Sequence, residues 1–134
     1  MNKVIVKINS KQKNDKQNTI KMKALANAYT KNGILYVIYK EKETSTMLKI
    51  QKDSLTLTRT GGVQQQQVFV EGKESVSDYI TPYGNLKMKV KTHRLEIITG
   101  MKSTIKIDYA LYINNSWQSD NELMIRLEPA NWVY

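Results

Sequence analysis

Few residues in this chain are of the types that do chemistry, and their scarcity narrows the field. Among 134 residues there is one histidine, His93, no cysteine and 12 carboxylates. Base or metal chemistry needs converging partners, and no carboxylate or hydroxyl stands at a motif spacing from His93. Zinc takes three or four ligands, the acidic residues lack EF-hand spacing, and Gly61-Gly62 is too short for a phosphate loop and reads as a hairpin turn. No catalytic residue, metal site or cofactor is assigned, and binding is favoured over catalysis. The polar residues that do form a constellation are Glu41, Thr46, Arg59, Gln65 and Gln67, and strand register is what gathers them.

A hairpin closed at Glu43-Thr44 sets Glu41 opposite Thr46, Tyr39 opposite Leu48 and Val37 opposite Ile50. One closed at Lys52-Asp53 sets Ile50 opposite Leu55, Leu48 opposite Leu57 and Thr46 opposite Arg59. A three-residue turn, Thr60 to Gly62, sets Arg59 opposite Val63, Leu57 opposite Gln65 and Leu55 opposite Gln67. Together these registers put Val37, Tyr39, Leu48, Ile50, Leu55, Leu57, Val63 and Phe69 on one face, which is then the interior. The polar set shares that face toward one end. Buried polar groups need partners or a ligand, so Tyr39, Glu41, Arg59, Gln65, Gln67 and Tyr79 are the candidate ligand-binding residues. Glu41 and Arg59 flank Thr46; they either meet over it as a buried pair or face water at the rim.

The elements that carry these residues are short alternating runs between turn signals. Val4 to Asn9 is a strand, followed by a polar, lysine-rich loop from Ser10 to Asn18. Thr19 to Thr30 alternates with a period of two, which argues against helix despite its alanines. Asn32-Gly33 favours φ > 0 in a tight hairpin. Strands follow at Ile34–Lys42, Ser45–Gln51, Ser54–Arg59, Val63–Val70 and Ser75–Thr81. In Leu86 to Thr99 the apolar parity slips, which places a β-bulge at His93-Arg94. Thr104 to Ile113 alternates cleanly, Asn114-Asn115 turns the chain, and Asn121 to Glu128 is the last strand before Pro129 removes a ladder donor. Residues 129–134 form a tail ending in Trp132-Val133-Tyr134. The expected domain is single, spanning 1–134. Its fold class is all-β, an antiparallel up-and-down barrel of eight to ten strands, since loops of two to five residues let sequential strands pair and closure removes edges.

The net charge of +9 is uneven. Residues 1–52 hold twelve lysines against Asp15, Glu41 and Glu43, and the rest of the chain is neutral. A basic face fits nucleic acid, with Lys3, Lys7, Lys21 and Lys23 as the residues that would carry it, but only three of the 21 basic residues are arginine, the better phosphate fork. A solvated lysine face is the plainer reading. Eight tyrosines, with Tyr29, Tyr36 and Tyr39 near Lys31, Lys40 and Lys42, fit stacking platforms for single strands; strands also favour tyrosine for packing alone. No apolar run of membrane-spanning length and no signal peptide is present, so the expected location is the cytoplasm, with no membrane partner.

At Arg59-Thr60-Gly61-Gly62-Val63, Phe69-Val70-Glu71-Gly72 and Tyr79-Ile80-Thr81-Pro82-Tyr83-Gly84 the chain resembles the YwiB-like family of uncharacterised β-barrel proteins from low-GC Gram-positive bacteria. The likeness extends to Tyr39-Lys40-Glu41, Thr92-His93-Arg94 and Ile107-Asp108-Tyr109, and covers roughly residues 19 to 128. It implies a lipocalin-like (calycin-like) barrel and no particular activity. The Gly-x-Trp signature of true lipocalins is absent, since Trp117 follows Asn115-Ser116 and Trp132 follows Ala130-Asn131; lipocalin ligands are not inherited. The expected function is a non-catalytic binding module holding a small molecule in the barrel mouth, with a nucleic-acid or ribonucleoprotein partner as the alternative.

Overall fold

The computed structural model describes residues 2–130, apart from the side chain of Lys16. Over these residues the chain forms ten antiparallel strands and no helix: β1 (Asn2–Gln12), β2 (Asp15–Lys31), β3 (Ile34–Glu41), β4 (Thr44–Ile50), β5 (Leu55–Gly61), β6 (Gln65–Phe69), β7 (Glu74–Thr81), β8 (Gly84–Ile98), β9 (Ser103–Ile113) and β10 (Ser116–Pro129). None is a helix long and apolar enough to cross a membrane. The tail Trp132-Val133-Tyr134 lies outside the described residues.

Short turns make strands that follow in sequence pair in space, giving the order β6-β5-β4-β3-β2-β1-β10-β9-β8-β7. The first and last strands close the meander, with Val6 opposite Leu127 and Ile8 opposite Ile125. The remaining seam, between β6 and β7, is stitched by two backbone bonds between Gln64 and Ile80, each 2.9 Å. Gly72 N–H to the Thr92 carbonyl (2.8 Å) and Thr92 N–H to that of Lys73 (3.0 Å) tie the β6–β7 loop onto β8. The result is an up-and-down barrel, nearly closed.

Turn chemistry follows residue type. Asn32 and Gly33 take φ of 54° and 76°, and Asn114 and Asn115 take 49° and 66°, the paired positive values that match the twist of a two-residue hairpin. The β8–β9 register shifts between Thr92 and Arg94, leaving His93 as the extra residue of a bulge, as the parity slip predicts.

Three expectations change. The last strand, expected from Asn121, begins at Ser116 directly after the Asn114-Asn115 turn. Ser10 to Asn18 is not a loop: β1 and β2 pair out to Lys11 and Thr19, shift register, and end with Gln12 opposite Asp15. This hairpin tip projects past the core, so both of its faces are polar and no alternation announces it. Two turns also differ, the first in position and the second in length. Lys42 takes φ 52°, so the β3–β4 turn is Lys42-Glu43; Tyr39 opposes Thr46 and Glu41 opposes Thr44. On β5–β6, Arg59 opposes Gln65 rather than Val63. Both shifts are by two residues, which keeps the side chains within the strands on their expected faces; Val63, expected on the interior face, lies instead in the longer β5–β6 turn, outside the core. The β4–β5 register is as expected, with Thr46 opposite Arg59.

The core is not uniform along the barrel axis. Val6, Val37, Leu48, Leu55 and Ile105 are fully buried, and with Ala26, Ala28 and Leu127 they pack the end that carries the β2–β3, β4–β5 and β8–β9 turns. Small alanines on β2 let the wall approach closely there. The other end is left open.

Candidate binding cavity

At the open end the inward-facing residues surround a cavity of about 440 Å³, lined by Tyr39, Glu41, Leu57, Arg59, Gln65 and Gln67 on one wall and by Tyr79, paired with Leu86, on the other. Leu86, Met88, Tyr109, Leu111 and Leu123 line the facing wall. Phe69 forms part of its floor, with the Tyr109 ring edge-on at 5.3 Å between centroids. All six candidate ligand-binding residues, Tyr39, Glu41, Arg59, Gln65, Gln67 and Tyr79, therefore border one cavity. β2 and β3 diverge there: their ladder ends at Asn27 and Ile38, so Ile20 and Met22 of β2 face the cavity across a gap from Tyr39.

The polar groups are arranged in a row. Tyr39, Thr46, Arg59 and Gln65 lie opposite one another on β3, β4, β5 and β6. Gln65 Nε2 donates to Gln67 Oε1 (2.9 Å) and approaches Met88 Sδ (3.6 Å). Gln67 Nε2 and Thr46 Oγ1 are buried and make no hydrogen bond. Among the described residues Arg59, half-buried, is in no ion pair or hydrogen bond, and the five ion pairs all lie elsewhere. Glu41 is exposed at the rim. Of the two alternatives for Glu41 and Arg59, the buried pair is ruled out, because the actual β3–β4 register puts Glu41 one step further toward solvent.

Two tyrosines hold their protons more tightly than usual. Burial pushes the Tyr109 hydroxyl up, offset in part by the Arg59 guanidinium. Burial also raises Tyr39, with the Glu41 carboxylate adding to it and Arg59 and the nearby Thr46 hydroxyl opposing it. Both phenols remain neutral O–H donors at neutral pH. Tyr109 was not singled out as a site residue from sequence; the signal was the clean alternation of Ile105, Ile107, Tyr109 and Leu111, which puts it on the interior face.

The lysines divide. Lys7, Lys21 and Lys23 surround a shallow outer groove of about 370 Å³ together with Arg126, while Lys3 stands opposite Asn27, nearer the packed end. Lys23 opposes Lys7, and Lys7 opposes Arg126, across three neighbouring strands. Lys7 Nζ also reaches Glu128 Oε2 at 3.2 Å. The tyrosine trio is broken up: Tyr29 and Tyr36 stack outside, 5.0 Å apart, and Tyr39 is inside. His93 points to solvent.

The comparisons with known proteins agree with this architecture. Residues 5–125 match the family described as Domain of unknown function (DUF1934). The chain belongs to that family. It is 23% identical over 117 residues to the uncharacterized beta-barrel protein YwiB of Bacillus subtilis (strain 168), covering 84% of this chain and 82% of that one. The crystal structure of ywiB protein from Bacillus subtilis superposes with a TM-score of 0.79 at 20% identity, over 96% of this chain and 91% of the other. The fold is thereby shared.

Proposed function

We propose that this protein is a non-catalytic binding module that takes a small molecule into the open end of its barrel. The observation that carries the reading is the cavity of about 440 Å³, mainly apolar and edged by Arg59 and by the Gln67 Nε2, which has no partner among the described residues. Its size falls in the roughly 300–1,000 Å³ range of small-molecule sites. The neutral apolar dye N-phenyl-1-naphthylamine should gain fluorescence on binding. Leu57→Trp, which pushes an indole into the cavity, should weaken that binding by about tenfold or more, equivalent to about 1.4 kcal/mol. Dye binding that is absent, or untouched by Leu57→Trp, overturns the reading.

A second reading rests on the outer row Lys23–Lys7–Arg126. Like charges directly opposite on neighbouring strands destabilise a sheet, so stability does not explain the row. A polyanion such as single-stranded nucleic acid would stabilise it by neutralising phosphates. Binding of a fluorescent oligonucleotide should then fall by about tenfold or more between 50 and 200 mM salt, and Lys7→Glu with Lys23→Glu should abolish it. No detectable affinity at the lower salt, or full affinity in the double variant, means that the lysines only solvate the sheet.

A further inference from the structure

We infer that the molecule held in the open end is amphipathic, with a single anionic head group gripped by Arg59 and the amide of Gln67 and an apolar body lying along Leu57, Phe69 and Leu111. This rests on the small-molecule reading above and adds the chemical class.

The argument is one of unmatched donors. Arg59 lines the cavity, half-buried, and has neither a carboxylate partner nor a hydrogen bond among the described residues. Its guanidinium carries five N–H donors and no acceptor. Gln67 is 4% exposed; its Oε1 is already occupied by Gln65, and its Nε2 is buried with no acceptor. Tyr39 and Tyr109, protonated at neutral pH, face the same space. The carboxylate of Glu41 stands at the exposed rim.

An occupant must displace the water that now solvates Arg59. A neutral apolar body pressed over the guanidinium would leave a desolvated charge with no partner, which is costly. A carboxylate, sulfonate or phosphate oxygen pair instead meets the planar fork bidentately. A metal cation would meet the Arg59 charge and a single rim carboxylate, Glu41, with no second carboxylate, histidine or cysteine lining the cavity, so the inventory favours an anion. The opposite side of the cavity supplies no charged group: Leu86, Met88, Leu111, Ile113 and Leu123 dominate it, with Ser10, Tyr79 and Tyr109 as its polar residues, so the charge belongs at one place and the rest of the ligand is mainly apolar.

The test compares two dyes of similar body, 8-anilinonaphthalene-1-sulfonate, which is anionic, and N-phenyl-1-naphthylamine, which is neutral. Losing a charge-assisted hydrogen-bonded contact, Arg59→Met should weaken the sulfonate dye by about tenfold or more, equivalent to about 1.4 kcal/mol. The neutral dye should bind as well as before or better. Arg59→Lys should recover part of the loss, and Arg126→Met, on the outer row, should change nothing. Decanoate and decyl phosphate should displace the sulfonate dye and decanol should not; the stronger of the two anions tells a carboxylate ligand from a phosphate one. If both dyes bind and Arg59→Met weakens neither, or if decanol competes as well as the anions, the anionic head group is wrong while the cavity reading stands. If neither dye binds, the cavity reading falls, and this inference with it.

Discussion

Leu48→Ala should cost the fold about 3–5 kcal/mol, and Leu57→Ala only about 1 kcal/mol. The two leucines are opposite each other across the β4–β5 ladder, yet they meet different surroundings. Leu48 is wholly buried in the packed half, beside Val37 on one neighbouring strand. Its removal leaves a dry hole that rigid strands cannot collapse, so the lost transfer free energy and the cavity term add. Leu57 is half-buried and borders space that already exists. Truncating it enlarges that space without creating a new void, and only part of its apolar area was out of water. Denaturant titrations of the two variants measure the difference. Equal losses would mean that the open end is packed in solution, and the binding proposal would lose its cavity.

That contrast also explains what could be read from sequence and what could not. The interior face of β3 to β6 was legible because a strand's side chains alternate strictly. The β3–β4 turn lies one residue earlier than expected and the β5–β6 turn is longer; each displaces the register by two residues, and an even shift keeps Tyr39, Arg59, Gln65 and Gln67 pointing inward. The depth of each residue was not protected in the same way. Lys42 takes a positive φ that its residue type does not advertise, so Glu41 stands one step further out than the expected hairpin places it, and its pairing with Arg59 is lost. The facing wall was harder still. Tyr109, Leu111 and Leu123 meet Arg59 and Gln67 across the barrel only because β1 pairs with β10, a contact between chain ends that no local pattern encodes. The projecting tip of β1 and β2 was illegible for the opposite reason. Its strands are held by backbone pairing and by exposed ion pairs such as Lys13 with Asp108, and alternation reports burial, which the tip lacks. Arg126 likewise joins the lysine row through β1–β10 pairing, although its own strand carries no charge run.

The second large effect is expected at Gly61, where Gly61→Ala should destabilise by about 3 kcal/mol or more. The residue ends β5 opposite Thr44 with φ of 108°, a region that costs a residue with a side chain about 1–3 kcal/mol. Space adds to conformation. A Cβ on Gly61 would run into the carbonyl oxygen of Glu43, and backbone cannot swing aside as a side chain can. Relief would require β4 and β5 to part at this corner, at the expense of the Gly62 N–H bond to that same carbonyl, 3.2 Å long. Gly33→Ala is the matched control. Gly33 also has a positive φ, 76°, but nothing lies within 4 Å of its would-be Cβ, so only the backbone term of about 1–2 kcal/mol applies. The difference between the two variants isolates the close approach of the β3–β4 turn to β5. It carries a functional consequence, since Arg59 sits two residues before Gly61 on the same strand. Parting the corner should also loosen the grip on the sulfonate dye while leaving the packed end intact. If Gly61→Ala proves no more costly than Gly33→Ala, β4 and β5 do not meet this tightly, and the position assigned to Arg59 at the cavity edge must move outward with them.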